Sequence, residues 1–247
     1  MYNKGFYISP SKINTFYMCP YQYWAKYIAH LQAIPTPVGP MMFGSTIHDI
    51  IVQYYDKVDN ETHLSEAVEK IEETFTENSN CYTTSHPKIT KRCQRNFAKF
   101  ENERIESKKT KPILLEKKLF ADLFPEIPRI GGIVDAYMED GACIDWKTGR
   151  HEEMDDARMT QGKVYEMLLE DNGYPVKKVV FNNLRRGMQL ELPKITNGWL
   201  ETRIRYMVSQ IKRGRFPTQE SGLCDGWCGY VLSCNTRYKC PWSGHVV

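Results

Sequence analysis

The chain has 247 residues, of which 41% are hydrophobic and 26% are charged, with a formal net charge of +3. These values fit an ordinary globular protein with a sizeable core, and they neither indicate nor exclude a nucleic-acid partner. No apolar run reaches the roughly 18 residues of a membrane span, and residues 1–9 lack the apolar centre of a secretory signal. We therefore expect a cytoplasmic protein that makes no membrane contact.

Apolar spacing and end signals predict helices first, then strands, and then alternating helices and strands. Ser9 or Ser11 can cap the first helix, and three prolines, Pro35, Pro37 and Pro40, predict a loop after it. The predicted helices are 10–30, one starting near 44, 62–77, 88–109, 153–171 and 199–213. The predicted strands are 113–120, 130–138, 142–146, 179–184 and 189–192.

This order of elements predicts an α/β core with an N-terminal helical addition. We expect one domain over residues 1–247. Its mainly helical part is 1–110, its α/β core is 111–195, and a helix with a cysteine-rich tail occupies 196–247.

Residues 131–147 have the pattern of two strands joined by a turn, and two registers are possible. A two-residue turn would put Asp135 and Asp145 on opposite faces of the hairpin. A three-residue loop that ends with Gly141 in the left-handed conformation would place Asp135 directly opposite Asp145, with Lys147 on the same face.

Two carboxylates directly opposed on a hairpin repel each other. If they are buried, they need a shared proton or a cation between them, and hard carboxylate oxygens suit Mg²⁺ or Mn²⁺. Lys147 beside such an ion could orient a water molecule or stabilise charge on a phosphate. The alternative is the solvated polar face of an edge hairpin.

Asp135 followed by Asp145-Trp146-Lys147 resembles the core of the PD-(D/E)XK nuclease superfamily, and in particular its RecB-like branch. In that branch a glycine-rich strand ends in the first aspartate, and a strand with the D/E-x-K motif follows. The resemblance implies a restriction-endonuclease-like fold with a mixed central sheet flanked by helices. It also implies that Asp135 and Asp145 bind the metal and that Lys147 is catalytic.

Four further residues match the branch in chain order. His48 matches the histidine of an upstream helix and would be a third metal ligand, although alone it could equally be a core histidine. Gln161 and Tyr165 match a Gln-x-x-x-Tyr motif that contacts the DNA strand near the metal, or they simply pack on one helix face. Glu116 matches the acidic residue of the preceding strand and could otherwise be a surface charge.

Three of the eight cysteines, Cys224, Cys228 and Cys234, follow C-x3-C-x5-C spacing, with Cys240 six residues beyond. Clustered cysteines in a reducing compartment indicate metal or redox chemistry. The segment around Cys19 resembles the start of iron–sulfur nucleases such as AddB and the CRISPR-associated adaptation exonucleases, in which one N-terminal cysteine joins three C-terminal ones.

That resemblance implies a [4Fe–4S] cluster held by Cys19, Cys224, Cys228 and Cys234. The usual first gap is C-x2-C, however, so a set with Cys240 in place of Cys224 stays open, as does a zinc ion in the same thiolates. We expect the remaining cysteines to be buried and free. These are Cys81, Cys93 and Cys143.

Basic clusters occur at 88–99, 185–186 and 212–215, where they could track phosphates or form a solvated face. The sequence alone assigns no individual DNA contact to them. The chain also lacks a G-x-x-x-x-G-K-[ST] phosphate loop, so these residues contain no ATPase motor.

The resemblance implies a Mg²⁺- or Mn²⁺-dependent DNA exonuclease that prefers single strands. Its role would be recombination, repair, phage DNA processing or CRISPR adaptation, with possible protein partners in those processes. The alternative is a non-catalytic iron–sulfur subunit that binds DNA within a larger complex. The intact Asp135, Asp145 and Lys147 argue against it, since a degenerate copy would be free to lose them.

Overall fold

A computed structural model describes residues 6–224 and 226–234, and their contacts divide the chain into two compact units. The first unit takes its described residues from Met1–Val38, Asp122–Gly131 and Thr196–Val247. The second unit comprises Gly39–Ala121 and Gly132–Ile195. In the described part of the chain, no helix combines the length and apolar character that crossing a membrane requires.

The first unit is mainly helical. Its helices are α1 (Pro10–Met18), α2 (Pro20–Tyr27) and α8 (Asn197–Lys212), with two short 3₁₀ helices, Gly222–Cys224 and Val231–Ser233. The Ser9 hydroxyl caps α1 by accepting from the Lys12 N–H at 3.3 Å. Helices α1 and α8 meet where the Tyr17 hydroxyl donates to the Arg203 carbonyl at 2.8 Å.

The prediction of one helix over 10–30 is wrong, because the chain breaks at Cys19. Cys19 is extended, with φ −162° and ψ 107°, and Pro20 starts α2. A residue before proline is pushed out of the helical region, and proline is well tolerated in a first helical turn. The break therefore places Cys19 at a corner between two helices.

Five helices belong to the second unit: α3 (Gly39–Lys57), α4 (Leu64–Glu77), α5 (Cys81–Thr84), α6 (Pro87–Glu106) and α7 (Asp156–Asp171). Helix α3 begins at Gly39, ahead of the predicted start, so Pro40 lies in its first turn rather than in a loop. Cys93 and Cys143 are buried as predicted, but Cys81 is exposed, contrary to the prediction. It opens α5, a four-residue helix whose buried residue is Thr83.

The sheet has five strands in the order β1-β2-β3-β4-β5. They are β1 (Leu114–Ala121), β2 (Ile130–Tyr137), β3 (Ala142–Lys147), β4 (Lys178–Asn183) and β5 (Met188–Glu191). Strands β2 and β3 are antiparallel, β3 and β4 are parallel, and β4 and β5 are antiparallel. The predicted α/β fold with a mixed central sheet flanked by helices is confirmed, and α7 is the crossover that a parallel pair requires.

The β2–β3 hairpin uses the three-residue loop. Ala136 pairs with Ile144, so the next pair in this register is Asp135 with Asp145. Gly141 closes the loop with φ +85°, a conformation that favours glycine. The two-residue alternative is therefore wrong, and the two aspartates lie opposite each other.

Candidate functional site

A pocket of about 960 Å³ in the second unit gathers side chains from α3, α7 and the first three strands. Six of the seven residues predicted as metal ligands or catalytic groups line it: His48, Glu116, Asp135, Asp145, Lys147 and Gln161. The seventh, Tyr165, lies behind them and contacts Gln161. The structure thus brings together residues that are up to 117 positions apart in the sequence (48 to 165).

Strand β3 aims its polar residues at the pocket because Trp146 faces the opposite way. The Trp146 side chain is buried, and its ring meets the rings of Phe97 and Phe100 edge-on at 5.6 and 4.9 Å. Since side chains alternate along a strand, this anchor directs Asp145 and Lys147 to the other face. Asp145 is 1% exposed there, whereas Lys147 is partly open to solvent.

Asp135 lies opposite a second buried carboxylate, as the three-residue loop predicted. It is 6% exposed, and its Oδ2 accepts from the Trp146 N–H at 2.8 Å. Burial, reinforced by the neighbouring Asp145 charge, raises the pKa of Asp135. Two buried opposed carboxylates are costly without a proton or a cation, so this donor set fits a divalent cation.

His48 and Glu116 complete the candidate metal centre. Within the described part of the chain, His48, Glu116 and Asp135 are the one group of three such side chains whose donor atoms all lie within 4.8 Å of one another. His48 Nδ1 lies 3.0 Å from Glu116 Oε1 and 3.6 Å from Asp135 Oδ2. Glu116, which could have been a surface charge, therefore lies beside His48 and Asp135.

The surroundings of the His48 ring favour its protonated form. Nε2 lies 3.0 Å from the Trp146 carbonyl oxygen, so both ring nitrogens face acceptors. Burial opposes protonation, but the Glu116 hydrogen bond and the Asp135, Glu116 and Asp145 charges outweigh it and raise the pKa of His48 to about 9. A divalent cation would occupy the place of this proton, and its binding would release one.

Glu116 is aimed by an uncommon backbone conformation. Its φ is +44° inside strand β1, a region that residues other than glycine rarely enter. Such strain persists where surrounding contacts impose it, and it clusters at functional sites. No sequence signal marks this conformation, which is why Glu116 could not be ranked from its motif alone.

A network of polar contacts through Asp145 and Gln161 holds the Lys147 side chain. Lys147 Nζ lies 2.7 Å from Asp145 Oδ2 and donates to Gln161 Oε1 at 3.0 Å. The Gln161 amide nitrogen donates to Asp145 Oδ1 at 2.8 Å and to the Tyr165 hydroxyl at 2.9 Å. Gln161 therefore fixes both Asp145 and Lys147.

Helix α7 packs closely against the sheet because Gly132 of β2 has no side chain. A Cβ on Gly132 would lie 3.1 Å from Tyr165 Cε1 and 3.2 Å from Leu168 Cδ1. That spacing is tighter than most Cβ contacts, so a larger residue would need the Tyr165 and Leu168 side chains to shift. Gly132 therefore serves the packing that seats Gln161 and Tyr165.

Sequence reasoning missed four polar residues that line the pocket. Ser45, Asp49 and Gln53 recur every four residues along α3, which puts them on one stripe beside His48, and Thr148 follows Lys147. The helical spacing could have found the α3 stripe once His48 was suspected. Thr148 offered no pattern.

The cysteines of the first unit lie in elements that contact one another. Next to Cys19, the Tyr21 hydroxyl donates to the Ser233 carbonyl, adjacent to Cys234. Burial raises the pKa of Cys228, and the charges of Cys224, Cys19 and Cys234 raise it further. Cys19, Cys224, Cys228 and Cys234 are all partly buried, while Cys240 lies outside the described residues.

The bridging position of Gln161 gives a graded prediction. Gln161→Ala should lower kcat for DNA cleavage by about tenfold to a hundredfold, the range seen when groups that orient metal-site residues are removed. Tyr165→Phe removes only one acceptor of the Gln161 amide, so its loss should be a few-fold. Steady-state kinetics of both variants check this order, and equal losses would contradict the bridging role.

The sequence model of the PD-(D/E)XK nuclease superfamily matches residues 7–235. A crystal structure of a candidate exonuclease from Eubacterium rectale aligns with a TM-score of 0.51 at 14% identity, over 90% of this chain and 86% of that one. A second crystal structure, that of SSO0001, aligns with a TM-score of 0.40 at 12% identity, over 76% and 84%. A search of curated proteins found no significant match.

The mixed sheet and its cluster of carboxylates, histidine and lysine are those of a metal-dependent nuclease. The match over residues 7–235 covers nearly the whole chain. The chain belongs to the PD-(D/E)XK nuclease superfamily.

Proposed function

We propose that this chain is a DNA exonuclease that hydrolyses phosphodiester bonds with the help of Mg²⁺ or Mn²⁺. The observation that carries the proposal is the opposed Asp135–Asp145 pair, buried in one pocket with Lys147. Asp135, Asp145 and His48 are the proposed ligands. Glu116 lies close enough to His48 and Asp135 to join them, and the mixed nitrogen and oxygen donors suit manganese as well as magnesium.

Each residue of the candidate metal centre has its own proposed role. When bound, the cation supplies charge neutralisation at the phosphate and a more acidic water. Lys147 Nζ, which contacts Asp145 and Gln161, would orient the attacking water and stabilise negative charge on the phosphate. Glu116 Oε1, 3.0 Å from His48 Nδ1, would join His48 and Asp135 on the cation, while the Trp146 carbonyl, 3.0 Å from Nε2, would hold the His48 ring in place.

Exonucleolytic cutting and a preference for single strands belong to this proposal. The name of the Eubacterium rectale protein agrees with the former, although 14% identity shows a shared fold alone. A role in recombination, repair, phage DNA processing or CRISPR adaptation, in the reducing cytoplasm, follows from the RecB-like motif order described above.

The test of the proposed function uses 5′- and 3′-labelled DNA, single- and double-stranded. We expect the purified protein to degrade single strands from an end with Mg²⁺ or Mn²⁺, and to stop when EDTA is added. Cleavage that persists in excess chelator would exclude the metal mechanism. DNA binding without cleavage in any metal would favour the alternative of a non-catalytic subunit.

We further propose that Cys19, Cys224, Cys228 and Cys234 hold a [4Fe–4S] cluster. Their charge coupling at Cys228 and the contact of Tyr21 with Ser233 support a common site. Among the described residues, no three of these sulfur atoms all lie within 4.8 Å of one another. Zinc in the same four thiolates is the alternative that the metal content of the purified protein separates from a cluster.

A cysteine series tests the cluster. Protein purified without oxygen should be brown and contain iron and sulfide, and Cys19→Ala should lose the colour. Cys93→Ala and Cys143→Ala should keep it, because these thiols are buried elsewhere and cost only packing when removed. Colourless protein with one bound zinc would contradict the iron–sulfur assignment. If Cys240→Ala loses the colour while Cys224→Ala keeps it, the ligand set contains Cys240 in place of Cys224.

A further inference from the structure

A basic groove lies between α4 and α6 in the second unit, outside the pocket that holds the candidate metal centre. It has a volume of about 530 Å³. Four basic residues of α6 line it, against one acidic residue, Glu72: they are Lys88, Lys91, Arg92 and Arg95. All four are exposed, and in the part of the chain that the structure describes none of them is in an ion pair.

The groove is not purely polar. Its lining also contains Val68, whose side chain is 40% exposed, together with Ile71 and Ala98. A groove with cationic walls and apolar patches suits a nucleic-acid strand, whose phosphates need counter-charges while its sugars and bases offer apolar surface. An acidic globular surface would leave those apolar patches uncovered.

Hydrogen bonds connect this groove to the catalytic strand. The Leu184 N–H donates to the Lys147 carbonyl at 2.8 Å, and the Leu184 carbonyl accepts from the Asn96 side chain of α6 at 2.7 Å. The Asn183 side chain donates to the carbonyl of Gly149, which lines the pocket, at 3.3 Å. The pocket and the basic helix are therefore linked through the turn after β4.

Arginines occupy the surface along this connection. Arg150 follows Gly149, and Arg185 and Arg186 lie in the turn after β4. Arg186 bridges to Glu152 at 2.8 Å, so its charge is partly matched. Burial lowers the pKa of Arg185, and the charges of Arg150, Arg186 and Arg92 lower it further, which shows how closely these guanidinium groups gather.

Like charges that crowd together with few acidic partners are expected where an anion is bound. We propose that a single strand of DNA whose end enters the pocket continues over Arg150 and Arg185 into the α4–α6 groove. This inference rests on the proposed function and adds to it a second, distant contact with the same substrate. It predicts that affinity rises with strand length until the strand reaches α6.

The experiment compares two triple variants of equal charge change. In the groove variant Lys88→Gln, Lys91→Gln and Arg95→Gln are combined. In the control, three lysines of the same unit that already have acidic partners are changed: Lys57→Gln, Lys70→Gln and Lys109→Gln. Glutamine is a good helix former, so both variants should fold.

Binding of 6-, 12- and 30-nucleotide strands is measured by fluorescence anisotropy in EDTA at several salt concentrations. The groove variant should lose about tenfold in affinity for the 30-mer at low salt, and the slope of log affinity against log salt should fall by about two, which is three phosphate contacts at about 0.7 each. The loss should shrink as the strand shortens, and the control should stay near wild type.

Equal binding of the 30-mer by the groove variant and the control would overturn the inference and leave the groove to another partner. The proposed function fails by a different result, the absence of metal-dependent cleavage of any strand by the wild-type protein. A wild type that binds long strands through the groove but never cuts would keep the groove assignment and remove the catalytic one.

Discussion

Lys147→Ala is expected to lower the rate of DNA cleavage by about a hundredfold to a thousandfold, the usual effect of removing one group that stabilises transition-state charge. Lys147 is held 2.7 Å from Asp145 and 3.0 Å from Gln161, so its ammonium has a fixed position in the pocket. It is not a proposed metal ligand, and metal binding should therefore survive. Single-turnover cleavage and metal titration, made on the same preparation, separate the two effects.

A matched control is Lys99→Ala, a surface lysine of α6 that pairs with Glu103 at 3.8 Å. It should cleave at the wild-type rate. If Lys147→Ala also cleaves at that rate, the D-x-K spacing is a coincidence and the catalytic role assigned to Lys147 is wrong. If Lys147→Arg restores little activity, the position and not only the charge of the ammonium is important.

The hairpin shows how far the sequence alone can predict this site. Strand periodicity and the position of Gly141 reduced the register to two choices, and only one of them brought Asp135 opposite Asp145. The sequence could not choose between them, because two- and three-residue loops are both common hairpin turns. The three-dimensional pairing of Ala136 with Ile144 decides it.

Other features depend on contacts that no local pattern encodes. No local sequence pattern marks the positive φ of Glu116, and the pocket-facing stripe of α3 becomes meaningful only when the sheet lies beside it. The exposure of Cys81 likewise follows from the short helix α5, which was not predicted at all. By contrast, the break at Cys19 was readable, since the rule for a residue before proline applies to the Cys19-Pro20 step.

The two candidate metal sites, the pocket with Asp135 and Asp145 and the group of cysteines, are supported by different kinds of observation. In the catalytic pocket, residues of four elements converge within hydrogen-bond distances, so the motif order and the geometry support each other. For the cysteines, the sequence supplied a spacing and the structure adds proximity, while Cys240 lies beyond the described residues. The cluster assignment therefore depends on the cysteine series more than the catalytic assignment depends on any one variant.

Asp135→Asn is expected to reduce cleavage by about a thousandfold while leaving the metal-free protein as stable as wild type or more so. The loss in rate follows because a metal centre supplies several kcal/mol of transition-state stabilisation, and about 1.4 kcal/mol corresponds to a factor of ten. The amide oxygen of asparagine can still accept from the Trp146 N–H, as Oδ2 does now at 2.8 Å, so the hairpin should keep its register.

The stability of Asp135→Asn tests the repulsion between Asp135 and Asp145 independently of activity. Above the raised pKa of Asp135, where its carboxyl is ionised, the substitution removes the repulsion by the buried Asp145, and the lost attraction to His48 3.6 Å away offsets part of the gain. The net gain should be at most about 1 kcal/mol, which would raise the thermal midpoint in EDTA by at most about 2–4 °C. Wild type should gain about 2.7 kcal/mol when Mn²⁺ is added at a hundred times its Kd, and the variant should gain almost nothing. Asp171→Asn, at the exposed end of α7, is the control and should respond to Mn²⁺ as wild type does. A large destabilisation of Asp135→Asn in EDTA, or an undiminished response to Mn²⁺, would show that the opposed aspartates are not the reason this pocket binds a cation.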